Sequence, residues 1–188
     1  MSQDFDGRVA IVTGGGTGLG AETAALLASR GARVVITGRR QEKLAASAER
    51  IRAEGGTVLC SQGDISQTED VDRMVRECLE AFGQVDILVN NAGQHARFRN
   101  THEIAIPEFD ECIAINLRGP FLATHAVLPH MLKAGFGRII NVASMAGSVG
   151  LRYAASYSAA KGGLIQLTRA VAVEYAARGI IATCITPG

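Results

Sequence analysis

Six short runs of continuously apolar, largely β-branched residues, separated by longer stretches of helical period, constrain the fold of this chain more than any other feature. The runs are Arg8 to Thr13, Arg33 to Thr37, Thr57 to Ser61, Val85 to Asn90, Arg138 to Ala143 and Ile180 to Thr186. Stretches such as VAIVT, VVIT, DILVN and RIINVA do not alternate apolar with polar residues, so they suit strands covered on both faces, as in a parallel sheet. Parallel neighbours need crossover connections, and right-handed helical crossovers give a doubly wound α/β layer structure. Glycines close three of the helices: Gly31 after Ala21 to Arg30, Gly83 after Val71 to Phe82, and Gly179 after Gly162 to Arg178. Pro107 opens a long segment to about Lys133, within which Pro120 and Pro129 predict a bend or an end. With 188 residues and no repeat, low-complexity tract or linker, the chain reads as a single domain.

Charge and cysteine usage narrow the partners. The 19 basic and 18 acidic side chains leave no global field for nucleic acid or an anionic membrane, so a small molecule is the expected partner. Met1 to Gly7 is polar, and no apolar run approaches the roughly 18 residues of a membrane span, so a soluble, cytoplasmic protein is expected. Cys60, Cys78, Cys112 and Cys184 form no CxxC pair, and the four histidines form no HExxH pair. Reduced thiols and no metal site are expected.

The first strand runs into Thr13-Gly14-Gly15-Gly16-Thr17-Gly18-Leu19-Gly20 and then into a helix former, Ala21 to Arg30. A glycine-rich strand-to-helix turn lets backbone N–H groups and the helix dipole meet a pyrophosphate, because a Cβ there would block the approach. The segment does not fit GxGxxG in any register; it reads TGxxxGxG, and a plain glycine-rich turn stays open on this segment alone. A site selective for NAD usually places a carboxylate at the end of the second strand. Here that end is Thr37-Gly38-Arg39-Arg40, with two guanidinium groups that suit the 2′-phosphate of NADP. Two solvated arginines opening the next helix are the alternative.

Tyr157 and Lys161 stand four residues apart in YSAAK at the opening of a helical segment, so both leave one helix face. A free phenol has a pKa of about 10, and a cation about 4 Å away at an effective dielectric near 20 stabilises its anion by about 4 kcal/mol. Such a pair is a sufficient reason for a phenol to act as acid or base. Ser144 follows the strand Arg138 to Ala143, at the carboxyl edge where open α/β sheets bind ligands, and its hydroxyl is placed to polarise a carbonyl. Taken alone, YxxxK also describes an ordinary exposed Tyr/Lys pair.

In combination these motifs are specific. The chain resembles the short-chain dehydrogenase/reductase family from about Gly7 to Gly188. The resemblance is carried by TGxxxGxG at Thr13 to Gly20, Asp64-Ile65, NNAG at Asn90 to Gly93, Asn116, Ser144, YxxxK, and the terminal Pro187-Gly188. It implies a Rossmann-type sheet and an oxidoreductase that moves a hydride between NADP(H) and a ketone or secondary alcohol. Gly14, Thr17, Gly18, Leu19, Gly20, Arg39, Asp64, Ile65, Asn90, Ala92, Gly93, Tyr157, Lys161, Pro187 and Gly188 are the implied cofactor residues. Among them Asp64 is expected to face the adenine, and Asn90 to steady the central strand. In the implied catalytic set Tyr157 exchanges the proton, Ser144 holds the substrate oxygen, and Lys161 binds the nicotinamide ribose and favours the phenolate. Asn116 tethers a water that links Lys161 to solvent.

The resemblance also implies a homodimer or homotetramer through the two long helices, Pro107 to Lys133 and Tyr157 to Arg178. Family members continue past the Pro-Gly pair into a nicotinamide-contacting threonine segment, a substrate lid and a seventh strand. This chain is therefore expected to be part of a longer enzyme: six strands with an open edge beyond the sixth, weak NADP binding and slow turnover. A catalytically inactive nucleotide-binding or scaffolding fragment of the same fold is the alternative function, and epimerases and dehydratases share YxxxK. The basic segment Gln94 to Arg99 and the trio Leu151, Arg152 and Tyr153 are candidates for the substrate pocket.

Overall fold

The computed structural model describes residues 4–95 and 98–188, so Ala96 and Arg97 of the basic segment lie outside the described residues. Each apolar run forms a strand: β1 Val9–Thr13, β2 Arg33–Gly38, β3 Thr57–Gln62, β4 Ile87–Asn90, β5 Gly137–Val142 and β6 Ile180–Ile185. Among the described residues six α-helices connect them, with α4 and α5 both between β4 and β5: α1 Gly18–Ser29, α2 Gln41–Ala53, α3 Thr68–Phe82, α4 Ile106–Ile113, α5 Gly119–Ala134 and α6 Ala155–Tyr175. The strands pair in the order β3-β2-β1-β4-β5-β6, and every pairing is parallel. This is the doubly wound sheet that the uninterrupted apolar strands require.

Period-two alternation explains why those strands lack polar positions. In β1, Val9 and Ile11 pack with α3, α5 and α6, whereas Ala10 and Val12 pack with α1 and α2. Both faces of the central strands are therefore dry, and each strand side chain joins one core or the other. Among the described residues β6 pairs only with β5 and is one edge of the sheet, with Ile181 and Ile185 exposed along it. Among the described residues, no helix is long and apolar enough to cross a membrane.

Gly83 and Gly179 end their helical segments in the left-handed conformation, as their positions predict. Two boundaries differ from expectation. α1 starts at Gly18 and not after the glycines, so Gly18 and Gly20 belong to its first turn. In the long segment one proline interrupts and the other does not. Between α4 and α5 the chain widens into a π-helical turn, Ala114–Arg118, in which Gly119 N–H reaches back five residues to Ala114 O. Pro120 follows at the first turn of α5; lacking an N–H and crowding the carbonyl four residues earlier, it disfavours a regular α-turn there. Pro129 lies inside an unbroken α5. Its position and that of His125, one turn earlier, are exposed, so water is available to the carbonyl that Pro129 leaves unpaired.

Candidate active site

Strand order reverses between β1 and β4, which opens a crevice at their carboxyl ends, the place where doubly wound sheets bind ligands. Thr13, the last residue of β1, ties the two loops there together. Its Oγ1 accepts from the backbone N–H groups of Asn91 and Ala92, both at 3.0 Å, and Asn91 Nδ2 donates to Thr13 O at 2.9 Å. Gly20 makes this close approach possible: a Cβ would lie 2.3 Å from both Asn91 Nδ2 and Gly14 O. The result is a cleft of about 450 Å³ whose lining includes Gly14, Thr17, Leu19, Ala92 and Gly93. Its glycine wall and the N-terminus of α1 fit a diphosphate, since no side chain fills the space in front of the backbone N–H groups.

At the end of that cleft beside the carboxyl end of β2 stand Arg39, Arg40 and Lys43 against Asp64, with Ile65 beside it. Arg39 Nη1 is 4.0 Å from Asp64 Oδ2, and Arg40 Nη2 donates to Thr17 Oγ1 at 3.5 Å. Lys43 was not singled out from sequence, because it reads as one of many charges on an amphipathic helix. Asp64 is held firmly: its Oδ1 accepts from Ser66 N–H at 2.9 Å and Ser66 Oγ at 2.8 Å, and its own N–H donates to Asp70 Oδ2 at 2.7 Å. That last bond, followed by Arg73, keeps the Asp70 carboxyl below its ordinary value.

The other group of side chains lies across the ends of β4 and β5. Ser144 follows β5 and caps a 3₁₀ turn, Met145–Gly147, its Oγ accepting from Ala146 N–H at 3.2 Å. That turn sits directly on α6, for a Cβ on Gly147 would be 2.6 Å from the carbonyl carbon of Lys161. Lys161 is 4 % exposed; its Nζ donates to Val142 O at 2.8 Å and lies 5.6 Å from the centre of the Tyr157 ring. Tyr157 and Lys161 therefore share one face, as their spacing predicts. Burial pulls the Lys161 ammonium down to about 8, against smaller opposing effects of Cys184 and Cys112.

Asn116, fully buried in the π-helical turn, accepts from Gln94 N–H at 3.2 Å through Oδ1 and donates to Gln94 O at 3.2 Å and to Cys112 O at 3.1 Å. Gly93 joins this group to the cleft. A Cβ there would be 3.0 Å from Asn116 Oδ1 and 3.6 Å from Lys161 Nζ. The arrangement puts a desolvated cation and a fixed amide oxygen around one glycine that also lines the cleft.

Several sequence candidates, Gly18, Gly20, Asn90, Pro187 and Gly188, are not among the residues that line the cleft. Gly18 and Gly20 are in the first turn of α1, and Pro187 O accepts from Met145 N–H at 2.9 Å, which brings Pro187 and Gly188 beside the Ser144 turn. Asn90 is buried, its Nδ2 donating to Asn141 Oδ1 at 2.8 Å, while Asn141 Nδ2 donates to Thr168 Oγ1 at 2.8 Å. This amide chain crosses from β4 through β5 to α6. It went unpredicted, although Asn141 interrupting the apolar run RIINVA is a signal for it.

The family model described as short chain dehydrogenase matches residues 8–188. One relative, (2S)-[(R)-hydroxy(phenyl)methyl]succinyl-CoA dehydrogenase subunit BbsD of Thauera aromatica, is 42 % identical over 181 residues, covering 96 % of this chain and 72 % of the relative. The crystal structure of NAD+-bound xylitol dehydrogenase superposes with a TM-score of 0.96 at 33 % identity, covering 98 % of this chain and 71 % of that one. A metagenomic short-chain oxidoreductase in complex with NADP gives a TM-score of 0.94 at 38 % identity, covering 98 % and 83 %. With the strand order, the glycine turn and the Ser144, Tyr157 and Lys161 region already in place, these matches settle the lineage: the chain belongs to the short chain dehydrogenase family.

Proposed function

We propose that the chain is an NADP(H)-dependent oxidoreductase of ketones and secondary alcohols, with Tyr157 as the proton donor and acceptor. The observation that carries this reading is Lys161, an ammonium held out of water by Val142 O on the same face as Tyr157. A non-catalytic nucleotide binder would gain nothing from that desolvation. Gly14, Thr17, Leu19, Ala92 and Gly93 hold the dinucleotide, and the first turn of α1 presents N–H groups to its phosphates. The nicotinamide, when bound, supplies or accepts the hydride.

Ser144 Oγ donates to the substrate oxygen, and Tyr157 Oη gives that oxygen a proton in reduction or takes one in oxidation. Lys161, on the same face as Tyr157, is connected through the Gly93 corner to Asn116 and a water that resupplies the proton. NADP is assigned over NAD on three cations, Arg39, Arg40 and Lys43, facing the single carboxylate Asp64. The similar fold accommodates NAD+ in xylitol dehydrogenase and NADP in the metagenomic oxidoreductase, so these side chains and not the sheet make the choice. On the same reading residues 1–188 act as one dinucleotide-binding and catalytic domain. It works in the cytoplasm, where its four free cysteines stay reduced, and pairs into a homodimer or homotetramer through α5 and α6, which expose Phe121 and Val173.

Tyr157→Phe tests the mechanism. Reduced-nicotinamide absorbance followed over a panel of ketones is expected to show kcat/KM lower by about 100-fold or more. Equal rates for the two proteins reject it.

A further inference from the structure

Tyr153 is the one non-glycine residue with positive φ among the described residues, at +66°. It occupies the third position of a tight turn, Leu151 to Ala154, closed by Ala154 N–H on Leu151 O at 3.2 Å. A turn with positive φ at that position alone is of the type II kind, which normally gives it to glycine or asparagine. A tyrosine there is strained, and strain persists only where surrounding contacts enforce it. Two such contacts are present. Arg99 N–H donates to Tyr153 O at 2.9 Å, and the Arg152 guanidinium lies 4.6 Å from the centre of the Tyr153 ring.

The turn leads straight into α6, whose first turn carries Tyr157. The Arg99 bond ties it to the segment that follows NNAG, and Arg99 is itself anchored to Glu108 of α4 at 3.6 Å. In the two segments that the Arg99 bond joins, the apolar side chains Phe98, Met145, Val149 and Leu151 are exposed, alongside the polar His95 and Arg99. Among the described residues no carboxylate forms an ion pair with Arg152, whose guanidinium is instead held against the Tyr153 ring.

From these contacts we infer that the Leu151 to Ala154 turn is a specificity element, in which Arg152, set in place by the strained Tyr153, binds a carboxylate on an otherwise hydrocarbon ketone or alcohol. This rests on the hydride-transfer reading above and adds the class of substrate. A guanidinium is the natural partner for a carboxylate, and the strained turn fixes its direction in advance.

The test compares 4-oxocyclohexanecarboxylate with cyclohexanone, using the protein with reduced cofactor. The wild type is expected to favour the carboxylate in kcat/KM, and Arg152→Gln to lower that ratio about tenfold or more, the loss of a charge-assisted hydrogen bond. Arg152→Lys is expected to keep part of the ratio, and added salt to erode it. Calorimetric binding of the two ketones to the cofactor-loaded protein reads the same preference without chemistry. Turnover with a ratio unchanged in Arg152→Gln overturns the specificity element and leaves the oxidoreductase reading standing. A binding preference that vanishes in Arg152→Gln, without turnover by any variant, sustains the element and sinks the oxidoreductase reading. Absence of any carboxylate preference in both assays overturns the element. Tyr153→Gly separates function from folding: the ratio is expected to fall with a melting temperature at or above that of the wild type. An unchanged ratio with a lower melting temperature assigns the turn to stability alone and overturns the inference.

Discussion

Replacing Lys161 by methionine removes a buried ammonium, and the consequence is readable in the pH dependence of stability. In the folded chain this lysine titrates at about 8 and in the unfolded chain at its ordinary 10.5. Between those values the unfolded state binds the extra proton, so stability rises with pH across the window; below 8 both states are charged and the desolvation penalty is fully present. A gap of about 2.5 units at about 1.4 kcal/mol each is a penalty of about 3 kcal/mol at neutral pH, relieved between pH 8 and 10.5. The lost bond to Val142 O offsets the whole difference by a constant amount and does not bend it. Cys78 acts in the opposite direction: burial pushes its thiol up to about 12, so stability falls as pH rises above the ordinary thiol value. That effect is common to both proteins and cancels in the comparison. Urea unfolding of wild type and Lys161→Met at intervals from pH 7 to 10.5 should therefore give a difference, wild type minus variant, that climbs by about 3 kcal/mol. A flat difference would mean the ammonium is as well solvated when folded as when unfolded, and the proposed role of Lys161 would lose its physical basis.

Gly147→Ala places a methyl 2.6 to 2.8 Å from backbone atoms of Lys161 and Gly162, which cannot yield as a side-chain end would. It is expected to lower stability by about 2 kcal/mol, or roughly 6 °C in Tm, and to reduce kcat by moving Ser144 away from α6; wild-type values of both would refute the close packing. Neutralising the cationic rim one residue at a time, as Arg39→Ser, Arg40→Ser and Lys43→Ser, should weaken NADP binding by about tenfold each while leaving NAD binding less affected. Titration calorimetry with both dinucleotides checks this, and equal losses for the two would remove the assignment of NADP.

Much of this architecture is written locally. The six strands and their order along the chain follow from uninterrupted apolar runs, because a strand dry on both faces has no polar position to spare. The glycine turn, Ser144, Tyr157 and Lys161 were legible because each sits at a fixed place on its element, and spacing alone puts the tyrosine and lysine on one face. What escaped depends on neighbours distant in sequence. Lys43 looks like any helix-surface cation until α2 folds its first turn against Gly16 of the glycine turn. The π-helical turn has no periodicity of its own; the only local hint is Pro120, whose missing N–H leaves open whether the chain stops, bends or widens. Pro129, chemically identical, does none of these because its helix face is open to water.

The misfits between local rule and structure are not scattered. Asn90 and Asn141, two amides in dry strands, pair in register and lead to Thr168 on α6. Asn116 stands in the widened turn, Lys161 is a charge on a buried helix face, and Tyr153 is a tyrosine in a glycine conformation. All five lie in or beside the same assembly, where β4 and β5 meet α6 and the loops that lead into it. Sequences that specify a fold break their own local rules mainly where something other than folding is selected, and the breakage costs stability that the rest of the core must offset. The concentration of these exceptions around Tyr157 is therefore an argument for catalysis at that place, independent of any resemblance. It also explains why the same region yields predictions in which a substitution stabilises the chain and damages its function.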